Sequence, residues 1–293
     1  MRTDRSAVVI GVDGSAGAAH AEAWAVADAR SRRAPLRLVS AYSTARMLDA
    51  TSMYGGTMTL DVEMLHAATK TLLTEAAARM AAIAPEVEIT TLACDGDAAA
   101  VLVGESRAAA TIVLGSRGLG ALSSVILGSV GTMVSARAEC PVVVVRGPAA
   151  LEPGSTVVLG VQADEDSADA IAYAFDYASR NAVPLHAVLC WHPDALAQMM
   201  WRPEQPVPPR AEVWLSEALA GWREKFPDVD VHAAVTRAHP VEGLVAASNG
   251  QRLLVVGSHS RGALAGMLLG SVSQGVLHHA SCPVAVVPPD VAS

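Results

Sequence analysis

Short apolar runs alternate with longer, helix-compatible segments along the whole chain. In the first half, this pattern predicts strands at residues 7–12, 36–42, 87–93, 111–114 and 141–145. It predicts helices over about residues 16–33, 58–84, 97–107 and 129–138, with Ser15 and Asp97 as caps of the first and the third. Strands that are separated by helices pair in parallel through right-handed crossovers. The predicted fold class is therefore α/β, with a doubly wound parallel sheet.

The second half repeats the same order of elements. It predicts strands at residues 156–161, 185–190, 229–235, 253–256 and 283–287, and helices over about 167–181, 211–226 and 271–280 with a short one from 241. Gly11 and Gly160 lie 149 positions apart, whereas Gly115 and Gly257 lie 142 apart, so the second copy is seven residues shorter between its first and fourth strands. The segment 147–155 has the prolines and glycines of a linker. We therefore predict two domains, at 1–147 and 155–293.

A glycine-rich segment follows the fourth strand of each copy. The first runs from Gly115 to Gly118 and, after nine further residues, reaches Gly128-Ser129-Val130; the second runs from Gly257 to Ser260 and, after nine further residues, reaches Gly270-Ser271-Val272. Glycines after a strand, followed by the start of a helix, are what a backbone phosphate cradle requires. An open parallel sheet binds ligands beyond the carboxyl ends of its strands, where the strand order reverses. If the first and fourth strands are neighbours there, Asp13 and the glycine segment face one crevice. The alternative is that these glycines only shape a tight connection.

Composition narrows the classes of function. The chain has 293 residues, of which 52% are apolar, and a formal net charge of -8 with only two lysines, Lys70 and Lys225. The apolar content suits sheets that helices cover on both faces, and the acidic balance argues against nucleic-acid binding. The apolar runs are too short to cross a bilayer. Strand-like sequence follows directly after residue 5, which leaves no room for a signal peptide, so we expect a cytoplasmic protein that does not bind a membrane.

Several catalytic motifs are absent from the sequence. There is no Gly-x4-Gly-Lys-Ser/Thr loop, no GxGxxG after a strand and no GxSxG nucleophile elbow. We predict no catalytic residue and no metal-ligating cluster. Under the alternative that the protein is an enzyme, the only candidates for a catalytic group are Asp13 and Asp97.

The motifs together resemble those of the universal stress protein family. The pattern Gly-x2-Gly-x9-Gly-Ser, the opening Val-Asp-Gly-Ser at 12–15 and the closing Cys-Pro-Val-Val-Val at 140–144 carry the resemblance. The doubled chain is similar to the tandem stress proteins of actinobacteria. The resemblance implies two Rossmann-like, adenine-nucleotide-binding sheets, each of five parallel strands in the order 3-2-1-4-5. It implies ATP as the ligand, with or without Mg²⁺.

The resemblance also implies which residues contact the nucleotide. In the first domain they are Gly11, Val12, Asp13, Ala41, Gly115, Arg117, Gly118, Gly128, Ser129 and Val130. In the second domain they are Gly257, Gly270, Ser271, Val272 and Ser273. The alternative for Arg117 is a solvated loop residue.

Each copy departs from the family pattern. In the first, Gly131 stands where ATP-binding members often carry a hydroxyl. In the second, Gln162 stands at the position of Asp13, and Ser260 replaces a glycine of the motif. The second motif is therefore degenerate, although Ser273 keeps the hydroxyl that the first copy lacks. We expect nucleotide binding in the first domain and leave it open for the second.

The leading hypothesis for function is an ATP-binding stress-response or growth-regulation module with little or no ATP hydrolysis. A slow ATPase or nucleotidyl transferase, and a nucleotide-independent partner-binding protein, are the alternatives. The resemblance also implies assembly through the last strand of each domain, within the chain and in a homodimer. It further implies a regulatory protein partner, whose identity the sequence does not give.

Overall fold

The structure is a computed structural model that describes residues 6–44, 62–116, 127–146, 155–162, 167–192, 208–258 and 269–289. The chain divides into two compact units, Met1–Pro148 and Ala149–Ser293, which we call the first and the second unit. Among the helices within these described ranges, none combines the length and the apolar character that a membrane span requires.

The first unit alternates strands and helices. In chain order, its described elements are β1 (Ala7–Gly11), α1 (Ala16–Arg32), β2 (Leu36–Tyr42), α2 (Val62–Ile83), β3 (Ile89–Asp95), α3 (Ala98–Glu105), β4 (Ala109–Gly115), α4 (Ser129–Arg137) and β5 (Val142–Val145).

The second unit repeats this order. Its described elements are β6 (Val157–Val161), α5 (Ala168–Asn181), β7 (Leu185–Trp191), α6 (Pro209–Lys225), β8 (Val231–Arg237), α7 (Pro240–Ala247), β9 (Leu253–Gly257), α8 (Ser271–His279) and β10 (Val284–Val287).

Each unit contains five parallel strands in the same order. The first has the order β3-β2-β1-β4-β5 and the second the order β8-β7-β6-β9-β10. Both are the order 3-2-1-4-5, so the predicted fold class is confirmed. The direction in which strands are added reverses between β1 and β4, and between β6 and β9. The carboxyl ends of these strands form the edge at which such sheets bind ligands.

Helix α1 lies close to its sheet because one stripe of the helix carries only small residues. Gly17, Ala21, Ala25 and Ala29 recur every four residues, which places them on one face of the helix, and the three alanines are fully buried. The strands below are apolar on both faces; Val8, Val9 and Ile10, for example, are at most 1% exposed. Burial of these side chains is the main source of the unit's stability.

The corresponding helices are joined differently in the two units. In the first, Arg79 of α2 donates to Glu22 of α1, with Nη2–Oε1 at 2.7 Å. In the second, the ring of Phe175 on α5 stacks with Trp222 on α6 at 6.2 Å between centroids. The same two helix positions are thus joined by an ion pair in one copy and by aromatic packing in the other.

Several element boundaries differ from expectation by one or two residues; β4, for example, begins two residues earlier than predicted. β3 and β8 both begin two residues later than predicted, and the even shift preserves the face on which each side chain lies. Asp97 caps α3 as predicted, since its Oδ1 accepts from the amides of Ala99 and Ala100. Ser15 is the N-cap residue of α1, as predicted, but its side chain makes no capping hydrogen bond to the helix.

The seven-residue deletion can now be located. β2 and β7 keep the offset of 149, whereas the ends of α2 and α6 and the whole of β3 and β8 are offset by 142. Because α2 and α6 are both uninterrupted, the offset of 142 holds along the whole of α6, and the deletion lies after Trp191 and before Pro209. The boundary corrections leave the topology unchanged.

Candidate functional site

The first site residues lie at the carboxyl end of β1. Gly11 is the last residue of the strand, and a Cβ built on it would lie 2.8 Å from Cδ2 of Leu114. Val12 is buried, and its amide donates to the carbonyl of Val39 at 2.9 Å. Asp13 is exposed. Because β1 and β4 are neighbours, the structure brings Asp13 and Gly115 to the same edge of the sheet.

The carboxylate of Asp13 shapes the turn into α1. Its Oδ1 accepts the amide of Ser15 at 3.0 Å, while Gly14 between them has φ +77. An aspartate that accepts from the second following amide is a common turn motif, and the positive φ favours glycine at the centre. This bond holds the backbone at Ser15, the N-cap residue of α1.

Gly115 packs against backbone. A Cβ built on it would lie 2.9 Å from the carbonyl oxygen of Gly17 and 3.0 Å from the carbonyl carbon. The small-residue stripe of α1 begins at Gly17, so the helix start lies directly over the end of β4. Close packing therefore requires a glycine at position 115 in the first unit.

The described ends of the glycine segment are joined by backbone bonds. The amide of Gly128 donates to the carbonyl of Ser116 at 3.3 Å, and the amide of Ser116 donates to Val145 at 2.9 Å. Gly128 precedes α4 without a side-chain cap; Ser129 is exposed and Val130 half-buried in the first turn. Arg117 and Gly118 lie outside the described residues.

Two further positions complete the first unit. Ala41 lies in β2, opposite Cys94 of β3. At Gly131 a built Cβ would approach Cδ1 of Leu127 to 2.9 Å. The leucine side chain is thus packed against the glycine, at the position where a serine or threonine would carry its hydroxyl.

The second unit contains a cavity of about 610 Å³ at the matching edge. Its wall is formed by the carboxyl ends of β6, β7 and β9 and by the first turns of α6, α7 and α8. Of the five residues predicted here, Gly257, Gly270, Val272 and Ser273 line it, whereas Ser271 is an exposed residue at the start of α8. The cavity is of the size that holds small-molecule ligands.

Gly257 differs from its counterpart in the first unit. A Cβ built on Gly257 would meet no described atom within 4 Å, although the residue ends a strand as Gly115 does. Gly270 precedes α8 with φ -58 and ψ 149, again without a side-chain cap. Ser273 is buried, and its hydroxyl donates to the carbonyl of Gly257 at 2.6 Å. That hydroxyl therefore fixes the strand end relative to the helix.

The side of the cavity toward β7 is aromatic. Trp191, His192 and Trp214 lie on its wall with Cys190. Burial raises the pKa of the Cys190 thiol to about 11, so the sulfur is a neutral, weakly polar group at physiological pH. Arg210, one helical turn before Trp214, adds a positive charge to the same side.

Sequence reasoning missed this side of the cavity. One signal was available. Ala41 was predicted to contact the nucleotide in the first domain, and its counterpart in the second copy, at the offset of 149, is Cys190. Trp214 and Arg210 follow the deletion and come from another helix, and no motif marks them.

The comparisons with known proteins cover both units. The profile of the universal stress protein family matches residues 5–146 and 155–288. A universal stress protein of Mycobacterium tuberculosis is 37% identical over 288 residues, which cover 95% of this chain and 96% of the relative. Another, from Mycolicibacterium smegmatis, is 34% identical over 297 residues, covering 96% of this chain and 97% of the relative.

A solved structure supports the fold independently. A universal stress protein from Archaeoglobus fulgidus matches with a TM-score of 0.73 at 16% identity, covering 99% of both chains. This likeness shows a shared architecture along the whole length. Together with the two profile matches and the mycobacterial relatives, it leads to one conclusion: this chain belongs to the universal stress protein family, as a tandem member with two copies of the fold.

Proposed function

We propose that this protein is a nucleotide-dependent regulatory module that binds an adenine nucleotide, ATP in the first instance, and hydrolyses it slowly or not at all. The observation that carries the proposal is the cavity of about 610 Å³ in the second unit. It lies where β6 and β9 are neighbours, which is where the strand order reverses. Open parallel sheets bind ligands at this point.

The two sides of the cavity suit the two ends of a nucleotide. Gly257 and the uncapped start of α8 provide backbone amides and a helix N-terminus for phosphate oxygens. Trp191 and Trp214 provide rings against which a base can stack. β7 and β9 flank β6, so the two sides are about 10 Å apart at a strand spacing of about 4.8 Å. That separation leaves room for a ribose.

The proposed lack of hydrolysis rests on the described wall residues. They include neither a lysine nor a carboxylate, the groups that most often bind a γ-phosphate or activate a water. In the first unit, Asp13 and Gly115 lie at the same edge, and we propose a second nucleotide site there. Gly115 contributes to it only through its backbone.

Gly257→Val tests the proposal directly. The added side chain would extend from a strand end into space that no described atom occupies, so the fold should persist while the ligand is excluded. We expect ATP binding to the second unit to weaken by about tenfold or more, which is equivalent to about 1.4 kcal/mol or more. The matched control is Gly221→Val, which makes the same change at an exposed position of α6.

Equilibrium dialysis with labelled ATP gives the stoichiometry, and tryptophan fluorescence reports on the cavity through Trp191 and Trp214. No uptake by wild-type protein at millimolar ATP would refute the proposal. Phosphate release sustained near about 1 per second would favour the ATPase alternative instead.

Assembly and location are part of the same proposal. We propose pairing of the domains through the strands Val142–Val145 and Val284–Val287, a homodimer in the cytoplasm, and a protein partner that responds to the nucleotide. Light scattering that gives a strict monomer at all concentrations would remove the homodimer.

A further inference from the structure

Tyr42 lies at the edge of the first unit where we propose the second nucleotide site. It is the last residue of β2, and β2 is the neighbour of β1 on the side away from β4. Its counterpart at the offset of 149 is Trp191, which ends β7 and lines the cavity of the second unit. Each unit thus ends its second strand with an aromatic residue.

The side chain of Tyr42 lies against α2. Its hydroxyl forms a hydrogen bond with Nδ1 of His66 at 3.1 Å, and the two rings meet edge to face with their centroids 5.7 Å apart. Helix α2 corresponds to α6, the helix that brings Trp214 to the cavity wall of the second unit. The ring of Tyr42 is therefore on the face of its sheet that α2 covers, as the aromatic side of the cavity is on the face that α6 covers.

The main chain around this ring is held by further bonds. The carbonyl of Tyr42 accepts the amide of Gly96 at 2.8 Å. At the end of the neighbouring strand β3, the carboxylate of Asp95 accepts the amide of Thr44 at 3.2 Å and its hydroxyl at 2.9 Å. The backbone is thus fixed at the ring and two residues after it, and the bond to His66 restrains the side chain itself.

His66 belongs to a part of α2 that α6 does not have. α2 begins at Val62, whereas α6 begins at Pro209, which corresponds to position 67 at the offset of 142. The residue that matches His66 is Pro208, whose side chain has no hydrogen-bonding group. The bond between the strand-end ring and this helix position is therefore specific to the first unit.

The separation across the sheet suits a nucleotide whose base lies at Tyr42. β2 and β4 flank β1, so their carboxyl ends are about 10 Å apart at a strand spacing of about 4.8 Å. Asp13, after β1, lies between them. A restrained aromatic ring offers a flat face on which a purine stacks. Leu72 stands where the second unit has Trp214, so Tyr42 provides the larger stacking surface here.

We infer that the first unit stacks the base of its nucleotide on the ring of Tyr42, and that His66 is the positioning residue that holds this ring at the edge of the sheet. The inference rests on the nucleotide site proposed for the first unit. It deepens that proposal, because it names the side chain that binds the base there and the contact that prepares it for binding.

The test uses the full chain with Gly257→Val, which confines ATP binding to the first unit. The probe is the triphosphate of 2-aminopurine riboside, whose fluorescence is quenched when the base stacks on an aromatic ring. We expect quenching on binding. Tyr42→Leu should abolish the quenching and weaken ATP binding by about tenfold in equilibrium dialysis, because the stacking surface is lost. Tyr42→Trp should restore both.

Variants of His66 test its positioning role. His66→Ala should weaken ATP binding by about threefold, because the ring must then be ordered by the ligand, whereas His66→Gln keeps a hydrogen-bonding group and should bind like the unsubstituted background. Tyr42→Phe removes the same hydrogen bond, so adding His66→Ala to it should cause little further loss. His20→Ala, an exposed change on α1, is the matched control and should leave binding unchanged.

The outcomes separate the inference from the proposals on which it rests. Quenching that persists in Tyr42→Leu, or a lower Tm of this variant with unchanged ATP affinity, would overturn the inference and leave a packing contact only. Absence of ATP binding in the Gly257→Val protein, where wild type binds, would remove the first-unit site and this inference with it. Absence of binding in wild type would remove the proposed function as a whole.

Discussion

A single methyl group should have opposite consequences at two glycines that the sequence pattern treats as equivalent. At Gly115, the Cβ of an alanine would lie 2.9 Å from the carbonyl oxygen of Gly17 and 3.0 Å from the carbonyl carbon. Both atoms belong to the backbone of α1, which cannot move aside as a flexible side chain can. At Gly257, the same methyl group would meet no described atom within 4 Å.

The magnitude follows from overpacking. Inserting a methyl group into a closely packed contact costs about 1–3 kcal/mol, because the helix must shift away from the sheet. For a unit of this size, each kcal/mol corresponds to roughly 2–4 °C in Tm. We therefore expect Gly115→Ala to lower the Tm of the first unit by roughly 2–12 °C, and Gly257→Ala to change stability by less than about 0.5 kcal/mol.

Differential scanning calorimetry of the full chain measures both variants, and urea unfolding followed by circular dichroism provides a second estimate. The effect on the proposed ligand site of the second unit is separate: Gly257→Ala should weaken ATP binding without loss of stability. If Gly115→Ala melts like wild type, or if Gly257→Ala is the more destabilised variant, the close approach of α1 to β4 is not a determinant of stability.

Three further changes test other parts of the structure. Glu22→Gln should destabilise the protein by about 1–3 kcal/mol in urea unfolding, because the charged Arg79 would lose the buried carboxylate that it contacts at 2.7 Å. Asp97→Ala should cost about 1 kcal/mol in the same assay, because two amides of α3 lose their acceptor. Burial and the facing His232 lower the pKa of His186 from 6.5; a depressed folded-state pKa means that stability is full above about pH 6.5 and declines as pH falls below it. His186→Gln should therefore flatten the unfolding midpoint between pH 7 and pH 5, and an unchanged pH profile would contradict this cause.

The alternation of strands and helices along the chain was sufficient to predict parallel sheets. The strand order 3-2-1-4-5 came from the resemblance to the family, because the pattern alone leaves open which strands are neighbours. The pattern is less informative at β3 and β8. Their residues are half-buried or exposed on both faces, so no buried face marks where the strand begins, and a start shifted by two positions fits the pattern equally well.

The contents of the two sites depended on contacts that the pattern does not encode. The glycine motifs have the same spacing at Gly115 and Gly257, yet one glycine packs against Gly17 and the other borders a cavity. The difference comes from residues far away in the chain. Sequence reasoning assigned Ser273 to the ligand, and only the structure shows its hydroxyl donating to the carbonyl of Gly257.

The residues opposite the glycines explain why the same edge of the sheet differs between the two units. In the first unit, Cδ1 of Leu72 on α2 would lie 3.2 Å from a Cβ at Gly14, so this side chain covers the turn after β1. Its counterpart at the offset of 142 is Trp214, which lies on the cavity wall. The sheet fixes where a ligand can bind, because the strand order is the same in both units. Side chains from the neighbouring helix, at positions that no motif marks, then decide how much space that edge encloses.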